Sequence, residues 1–323
     1  MQQDQQRAEE LWFSAGERLA YDCQKREVAE NDSATKVFVR HEGDLTKNLV
    51  TFLPGYPDGS FGWSKVLPHL PEAKSMPKLF VEYLGMGDSD KPKNYTYSIA
   101  ERADLVEALW RRFGVRSTVV VAFDFSSLVV LEHLQRRLER GEAAGGPQIQ
   151  GVIMFNGGLF IDGHSHPWYT TPILQRVPDT VSQNMRNSYG FFKRIMTKVM
   201  WSREYGVTDA EVRSLYNTMD RHDGLFYLTK GAGFVTEHKA QGNRLDFDHL
   251  FRAYHQQIPF LVGGSTKDLF EHRQVDLTQK RLGGQPNLTI ERLPGGHLTT
   301  NEQPRALADL IREFYGKSSA GTI

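Results

Sequence analysis

Three things are scarce in this chain, and each scarcity excludes a class of protein. A single cysteine, Cys23, leaves no partner for an intramolecular disulfide and no set of thiolates for a cysteine-based metal cluster. No apolar run approaches bilayer-spanning length, and residues 1–10 (MQQDQQRAEE) lack an apolar leader core, so a cytoplasmic protein is expected. Neither sign of charge is in excess: 39 Lys and Arg balance 39 Asp and Glu. That balance removes the electrostatic case for nucleic acid or an anionic membrane as partner. A neutral or small substrate fits that balance better. Cys23 itself reads as a packing residue.

The 323 residues are enough to bury a large core. Short apolar runs recur at 18–23, 36–41, 48–53, 78–82, 118–123, 149–155, 258–263 and 287–293, which predicts eight strands. Helical patterns lie between several of them. Ser98-Ile-Ala-Glu101 forms a capping box, and Leu105, Val106, Leu109 and Phe113 then make one apolar face ending at Gly114. Strands alternating with helices predict an α/β fold whose mostly parallel sheet is covered on both faces. From residue 157 to 248 the alternation stops, and aromatic, Met, Arg and His residues take over at helix-like spacing. This segment is read as an inserted helical lid with helices near 188–201, 209–220 and 224–235. It divides the core into residues 1–156 and 249–323, and it follows a strand on the side where open α/β sheets bind ligands.

The stretch Thr118-Val-Val-Val-Ala-Phe-Asp-Phe-Ser-Ser127 places one carboxylate where a buried strand gives way to a helix. A sharp strand-to-helix bend tolerates little bulk two residues before and after its apex, and Ala122 and Ser126 meet that demand around Asp124. Ser126 as apex would put Leu128 at a position that needs a small residue. An Asp at the apex is an oxygen nucleophile that needs no base to deprotonate it. The competing reading is a helix N-cap, for which Asp is also favoured.

A carboxylate nucleophile leaves an ester, and hydrolysing that ester needs a base, best a histidine held by a second acid. Among eleven histidines, His297 in Leu293-Pro-Gly-Gly-His-Leu follows the last strand and precedes an amphipathic terminal helix. Asp268 follows the strand 258–263 and a glycine turn, with Glu271 and Asp276 as neighbouring alternatives in the helix beyond. The end of the preceding strand offers Asn156 instead of an acid. Asp124, Asp268 and His297 then stand in the chain order nucleophile, acid, histidine. Backbone donors for an oxyanion are expected from the N–H of Phe125 and from that of Tyr56 in Pro54-Gly-Tyr-Pro57.

Together these motifs resemble the α/β-hydrolase superfamily, and within it the Asp-nucleophile branch of haloalkane dehalogenases and epoxide hydrolases. Leu84-Gly-Met-Gly-Asp-Ser-Asp-Lys-Pro92, the Asp bend and the terminal Gly-Gly-His carry the resemblance, which spans nearly all of the chain outside the lid. Phe155-Asn-Gly-Gly-Leu-Phe160 and Arg221-His-Asp-Gly224 also resemble the mesoderm-specific transcript protein group. The resemblance implies an α/β-hydrolase fold and a covalent alkyl-enzyme ester. Dehalogenases hold the halide with a Trp after the nucleophile and an Asn or Trp elsewhere, where this chain has Phe125 and Tyr56; Pro54 also replaces the usual His of that loop. Epoxide opening instead uses lid tyrosines as acids. The lid has Tyr169, Tyr189, Tyr205, Tyr216 and Tyr227. Tyr227 and Tyr189 are the expected pair, with Phe123, Trp168 and Trp201 as substrate contacts. The expectation is an epoxide hydrolase, with no metal or organic cofactor, that takes a small, largely apolar molecule and water to a vicinal diol. The alternatives are a dehalogenase using Trp168 or Trp201, and a binding protein that keeps the fold without turnover.

Overall fold

A computed structural model describes residues 2–29, 35–141 and 146–320. Its strands are β1 (Glu17–Asp22), β2 (Glu27–Val28), β3 (Thr35–Glu42), β4 (Leu49–Leu53), β5 (Lys78–Val81), β6 (Ser117–Phe123), β7 (Gln148–Phe155), β8 (Phe260–Ser265) and β9 (Leu288–Leu293). They form one nine-stranded sheet in the order β2-β1-β3-β5-β4-β6-β7-β8-β9. The contacts among β1, β2, β3 and β5 are antiparallel, and every pairing from β5 through β4 to β9 is parallel. The strand beyond the eight expected is β2, only two residues long and half polar, too short for any alternation to register in the sequence.

Burial on both faces explains the composition of the central strands. Val119, Val120 and Val121 in β6 are all buried, and β4 is buried along its whole length. Each fully buried branched side chain of this kind contributes roughly 1.5–3 kcal/mol. Helices Ile99–Arg112 and Ser126–Arg140 cover part of the sheet and pack against each other. The capping box at Ser98 is formed, with Ser98 Oγ accepting from the Glu101 N–H and the Glu101 carboxylate accepting from the Ser98 N–H.

Between β7 and β8 lie helices Thr171–Arg176, Pro178–Asn187, Tyr189–Val199, Asp209–Asp220, Tyr227–Gly231, Phe234–Gln241 and Phe247–Tyr254. The helix expected over 224–235 is broken. A 3-10 segment, Arg221–Phe226, carries positive φ at His222 and Asp223, and the chain restarts as a helix at Tyr227 and again at Phe234. Each non-glycine residue in that left-handed region works against continuation of a helix.

The sheet order puts the site where it is. The chain leaves β4 to form β5 on one side and β6 on the other, so the connections leaving β4 and β6 diverge at a topological switch point, where open α/β sheets leave a crevice. Leu53 pairs with Ala122 in register, which brings the loop at Pro54 beside the bend at Asp124.

Candidate active site

Asp124 has φ of 53°, a left-handed conformation that a non-glycine residue adopts only where its surroundings hold it there. Three contacts do so. The Asp124 N–H donates to Phe155 O at 2.9 Å, the Ser127 N–H donates to Asp124 O at 3.0 Å, and the Ser126 hydroxyl donates to Pro54 O. Small neighbours are required: a Cβ on Gly157 would stand 1.8 Å from Ser127 Oγ, and one on Gly55 would stand 2.3 Å from the Phe123 ring. The N-cap position of the following helix is held by Phe125, and no side chain caps it. The Asp124 side chain turns instead into the crevice.

There its Oδ2 accepts from the Tyr56 N–H at 2.9 Å, and the Phe125 N–H also bonds the carboxylate. His297 Nε2 lies 3.5 Å from Asp124 Oδ1. On the other side of the ring, His297 Nδ1 lies 3.0 Å from Asp268 Oδ1, which also accepts from the Phe270 N–H at 2.9 Å. All three side chains are buried. Burial raises the Asp124 pKa to about 6, against the His297 charge and the two N–H groups that favour the carboxylate. For His297, burial favours the neutral ring, but the charge and hydrogen bond of Asp268, with Asp124 and Asp58 nearby, raise it to about 9. The resting site is therefore a carboxylate facing an imidazolium between those two values.

Asn156, which follows β7 where an acid could have stood, has a different task. At φ 52° it ends β7, takes the Ser265 N–H on its Oδ1 at 2.7 Å, and aims Nδ2 at His297 O (2.6 Å), Thr299 Oγ1 (2.9 Å) and Ser265 Oγ (3.0 Å). It thus ties the ends of β7 and β8 to the backbone that carries His297. Its sequence signal was its place after an apolar strand, where a buried amide needs partners from several segments.

An apolar cavity of about 180 Å³ opens onto Asp124 and His297. It exceeds the roughly 150 Å³ of an engineered cavity that takes benzene. Leu174, Val181, Met185, Ile195, Met196 and Met200, all from the segment between β7 and β8, supply much of its wall, and Tyr56, Tyr169, Thr170, Thr171 and His166 supply its polar groups.

Several expected contacts are elsewhere. The Tyr227 hydroxyl accepts from Arg102 Nη2 at 2.9 Å, and its ring packs on Tyr97 and Tyr56 outside the cavity wall. The Tyr189 hydroxyl donates to Asp209 on the outer surface, and Arg213 covers its ring. Neither tyrosine is among the residues lining the cavity, because each hydroxyl is committed to a charged partner on another face of its helix. Trp168 is exposed, Trp201 lines a separate small pocket, and Phe123 packs between Trp63 and His297 behind the site. Tyr56 does line the cavity, and its hydroxyl donates to Leu228 O.

His164 and His166, which the sequence did not single out, converge with Glu271 beside the cavity, with His166 on its wall. The signal available was His164-Ser-His166 in an extended stretch, where alternate side chains share a face.

Comparison with known proteins agrees with this architecture. The alpha/beta hydrolase family model matches residues 52–310. The human mesoderm-specific transcript homolog protein is 27% identical over 172 residues, which is 49% of this chain and 50% of that protein. The chain thus spans about half the length of the curated relatives it matches first. Among solved structures, the haloalkane dehalogenase DbeA from Bradyrhizobium elkani superposes with a TM-score of 0.69 at 17% identity, covering 95% of this chain and 99% of that one. The epoxide hydrolase CorEH superposes with a TM-score of 0.64 at 16% identity, covering 88% and 96%. At such identities the superpositions speak for the fold, and the family match over most of the chain makes this protein a member of the alpha/beta hydrolase family.

Proposed function

We propose that this hydrolase acts on a small, largely apolar epoxide through an ester on Asp124 and releases a vicinal diol. The observation that carries the reading is the arrangement around one carboxylate. Asp124 faces an apolar cavity, has the Tyr56 and Phe125 N–H groups on one side and has the Asp268-held His297 on the other. In this reading an Asp124 oxygen attacks a ring carbon, the carbon–oxygen bond breaks, and the oxygen that leaves takes a proton. The segment between β7 and β8 acts as the lid. With Tyr227 and Tyr189 turned elsewhere, its tyrosine on the cavity wall is Tyr169, to which we assign that proton.

Forming the ester removes the Asp124 charge that helps hold His297 protonated, so the ring's pKa falls and it gives up its proton, making good the one that Tyr169 supplied and leaving a neutral imidazole as the base for the second step. His297 then takes a proton from water, which attacks the ester carbonyl while the Tyr56 and Phe125 N–H groups hold the oxyanion; as the oxyanion collapses, the bond from that carbon to the alkyl oxygen breaks and His297 returns the proton to the departing diol oxygen. Carbon–halogen cleavage is the weaker reading, because the residues lining the cavity include no Trp or Asn to hold a halide.

The test is turnover of small aryl and alkyl epoxides in ¹⁸O-labelled water, followed by mass spectrometry of the peptide containing Asp124. One labelled oxygen on Asp124 is expected, because water attacks the enzyme's carbonyl carbon. Turnover that leaves that peptide unlabelled would overturn the covalent route. Halide release from bromoalkanes without diol formation from epoxides would overturn the substrate assignment.

A further inference from the structure

Glu271 is a carboxylate with no exposed surface, and it lies between two imidazoles. His164 Nδ1 is 2.7 Å and His166 Nε2 is 2.9 Å from the same oxygen, Oε1. The two rings are themselves almost wholly enclosed, with side chains 3% and 6% exposed. A buried carboxylate needs positive charge beside it. No Lys or Arg nitrogen forms an ion pair with Glu271 among the described residues.

The outer nitrogens of both rings are also engaged. His166 Nδ1 lies 2.7 Å from Thr171 Oγ1. His164 Nε2 lies 2.8 Å from His238 Nδ1, and His238 Nε2 lies 3.2 Å from Leu245 O. A carbonyl can only accept, so His238 carries its proton on Nε2, and a neutral His238 offers Nδ1 as an acceptor. His164 must then donate from Nε2. A neutral His164 therefore has a bare lone pair on Nδ1, aimed at a carboxylate oxygen 2.7 Å away. That contact requires a cation between the two atoms, either a second proton on the ring or a metal ion.

The surroundings are built for the second. Glu271 Oε2 accepts from Gln274 Nε2 at 2.9 Å, so each of the three groups has its outward atom held by a partner, as in metal sites where outer hydrogen bonds fix the ligand atoms. The two strands of chain are pinned together: Ser165, between the histidines, bonds Phe270 O through its N–H at 3.1 Å and its hydroxyl at 2.7 Å. A Cβ on Gly158 would stand 2.3 Å from the His164 ring, so glycine there lets the ring lie against the backbone.

We propose that His164 Nδ1, His166 Nε2 and Glu271 Oε1 bind one divalent transition-metal ion, with Zn²⁺ the best match. The three donor atoms lie within 4.8 Å of one another. Bond lengths of about 2.0–2.2 Å to nitrogen and oxygen put tetrahedral donors about 3.4 Å apart, so the 2.7 and 2.9 Å histidine–carboxylate distances would widen while the imidazole nitrogens draw together around the ion. Two imidazoles and one carboxylate suit Zn²⁺ over the hard cations Ca²⁺ and Mg²⁺, which prefer all-oxygen sets. Three protein ligands leave a fourth position for water or a substrate oxygen. Because His166 lines the cavity, the ion belongs to its wall, and it clasps the start of the lid segment to the loop after β8. This departs from the expectation of a metal-free protein, and it does not depend on the ester chemistry assigned to Asp124.

The experiment uses the full chain, stripped with a chelator and reloaded with ZnCl₂ or CoCl₂. Expected are one Zn²⁺ per chain retained through gel filtration and, for Co²⁺, visible d–d absorption typical of a four- or five-coordinate nitrogen and oxygen site. His164→Ala and Glu271→Gln should each lower retention at least tenfold. X-ray absorption of the zinc-loaded wild type, which needs no variant to fold, should show two imidazoles per zinc. Substoichiometric retention by the wild type, fewer than two imidazoles around the zinc, or equal retention by folded variants overturns the site.

Discussion

His297 Nε2 stands 3.5 Å from Asp124 Oδ1, beyond a strong hydrogen bond, while its Nδ1 is held at 3.0 Å by Asp268. The ring is thus oriented by one carboxylate and faces the other across a gap. A carboxylate nucleophile carries no proton for the ring to remove, so the first step asks for no closer contact. A base for the later step has only to reach a water placed beside the carbonyl carbon of an Asp124 ester, and it needs no tight bond to Oδ1 in the resting site.

If so, the two steps separate in a His297→Gln variant. Ester formation needs only Asp124 and a proton donor, whereas hydrolysis loses its base and should slow by about 10²–10⁴-fold. Intact-protein mass spectrometry after mixing with an epoxide should then show the protein plus one substrate mass, persisting for minutes to hours. A variant that turns over at the wild-type rate would remove His297 from the second step.

The pH dependence of the first step follows from Asp124. Its pKa is raised to about 6 by burial, so the attacking carboxylate is lost as pH falls through that value. Single-turnover adduct formation in His297→Gln should drop about tenfold per pH unit below the folded value. Because the variant lacks the His297 charge, which favours the carboxylate in the native protein, its midpoint should lie above about 6. A rate independent of pH between 4 and 8 would mean that Asp124 is not the attacking group.

Tyr227 offers a test of structure against sequence expectation. Its hydroxyl is bound to the buried Arg102, whose guanidinium also lies 4.6 Å from the Phe125 ring centroid. Tyr227→Phe should therefore destabilise the fold by about 1–3 kcal/mol through the lost acceptor, while the chemical step stays within about threefold of wild type. Denaturant unfolding and single-turnover rates measure the two separately. A hundredfold slower chemical step at unchanged stability would return Tyr227 to the role of acid.

What could be read from sequence, and what could not, divides along physical lines. Asp124, Asp268 and His297 each sit at a strand end, marked locally by small residues or glycine, and strand order alone brings such ends together. Which tyrosines between β7 and β8 meet the cavity is not legible in the sequence, because the face a short helix turns towards it is set by packing on the rest of the protein. The Tyr189 and Tyr227 hydroxyls bond Asp209 and Arg102 instead. His164 and Glu271 are 107 positions apart, and no local pattern announces that the bend after β8 will bring them within 2.7 Å. Asn156 stands where the chain order would accept an acid, and nothing local shows that its amide bonds link β7, β8 and the His297 loop.

Asp58, which the sequence did not single out, gives the sharpest stability prediction. It is buried in the loop after β4, its Oδ1 has no hydrogen-bond partner, and burial raises its pKa from 3.8 to about 8. Between pH 4 and 8 the native chain keeps a proton there that the unfolded chain has released. Stability must then fall as pH rises through this window, by at most about 1.4 kcal/mol per pH unit. The loss is absent below pH 4, where both states are protonated, and complete above pH 8, where both are ionised. Asp58→Asn keeps the shape and removes the titration. The variant should therefore match the wild type near pH 4 and exceed it increasingly up to pH 8, by an amount on the order of a few kcal/mol. Nearby His297 favours the Asp58 carboxylate, so combining the variant with His297→Gln separates the two charges. Urea midpoints of all four proteins at pH 4.5, 6, 7 and 8.5 measure the effect. A stability difference that stays constant across that range would show that Asp58 is already ionised in the folded chain.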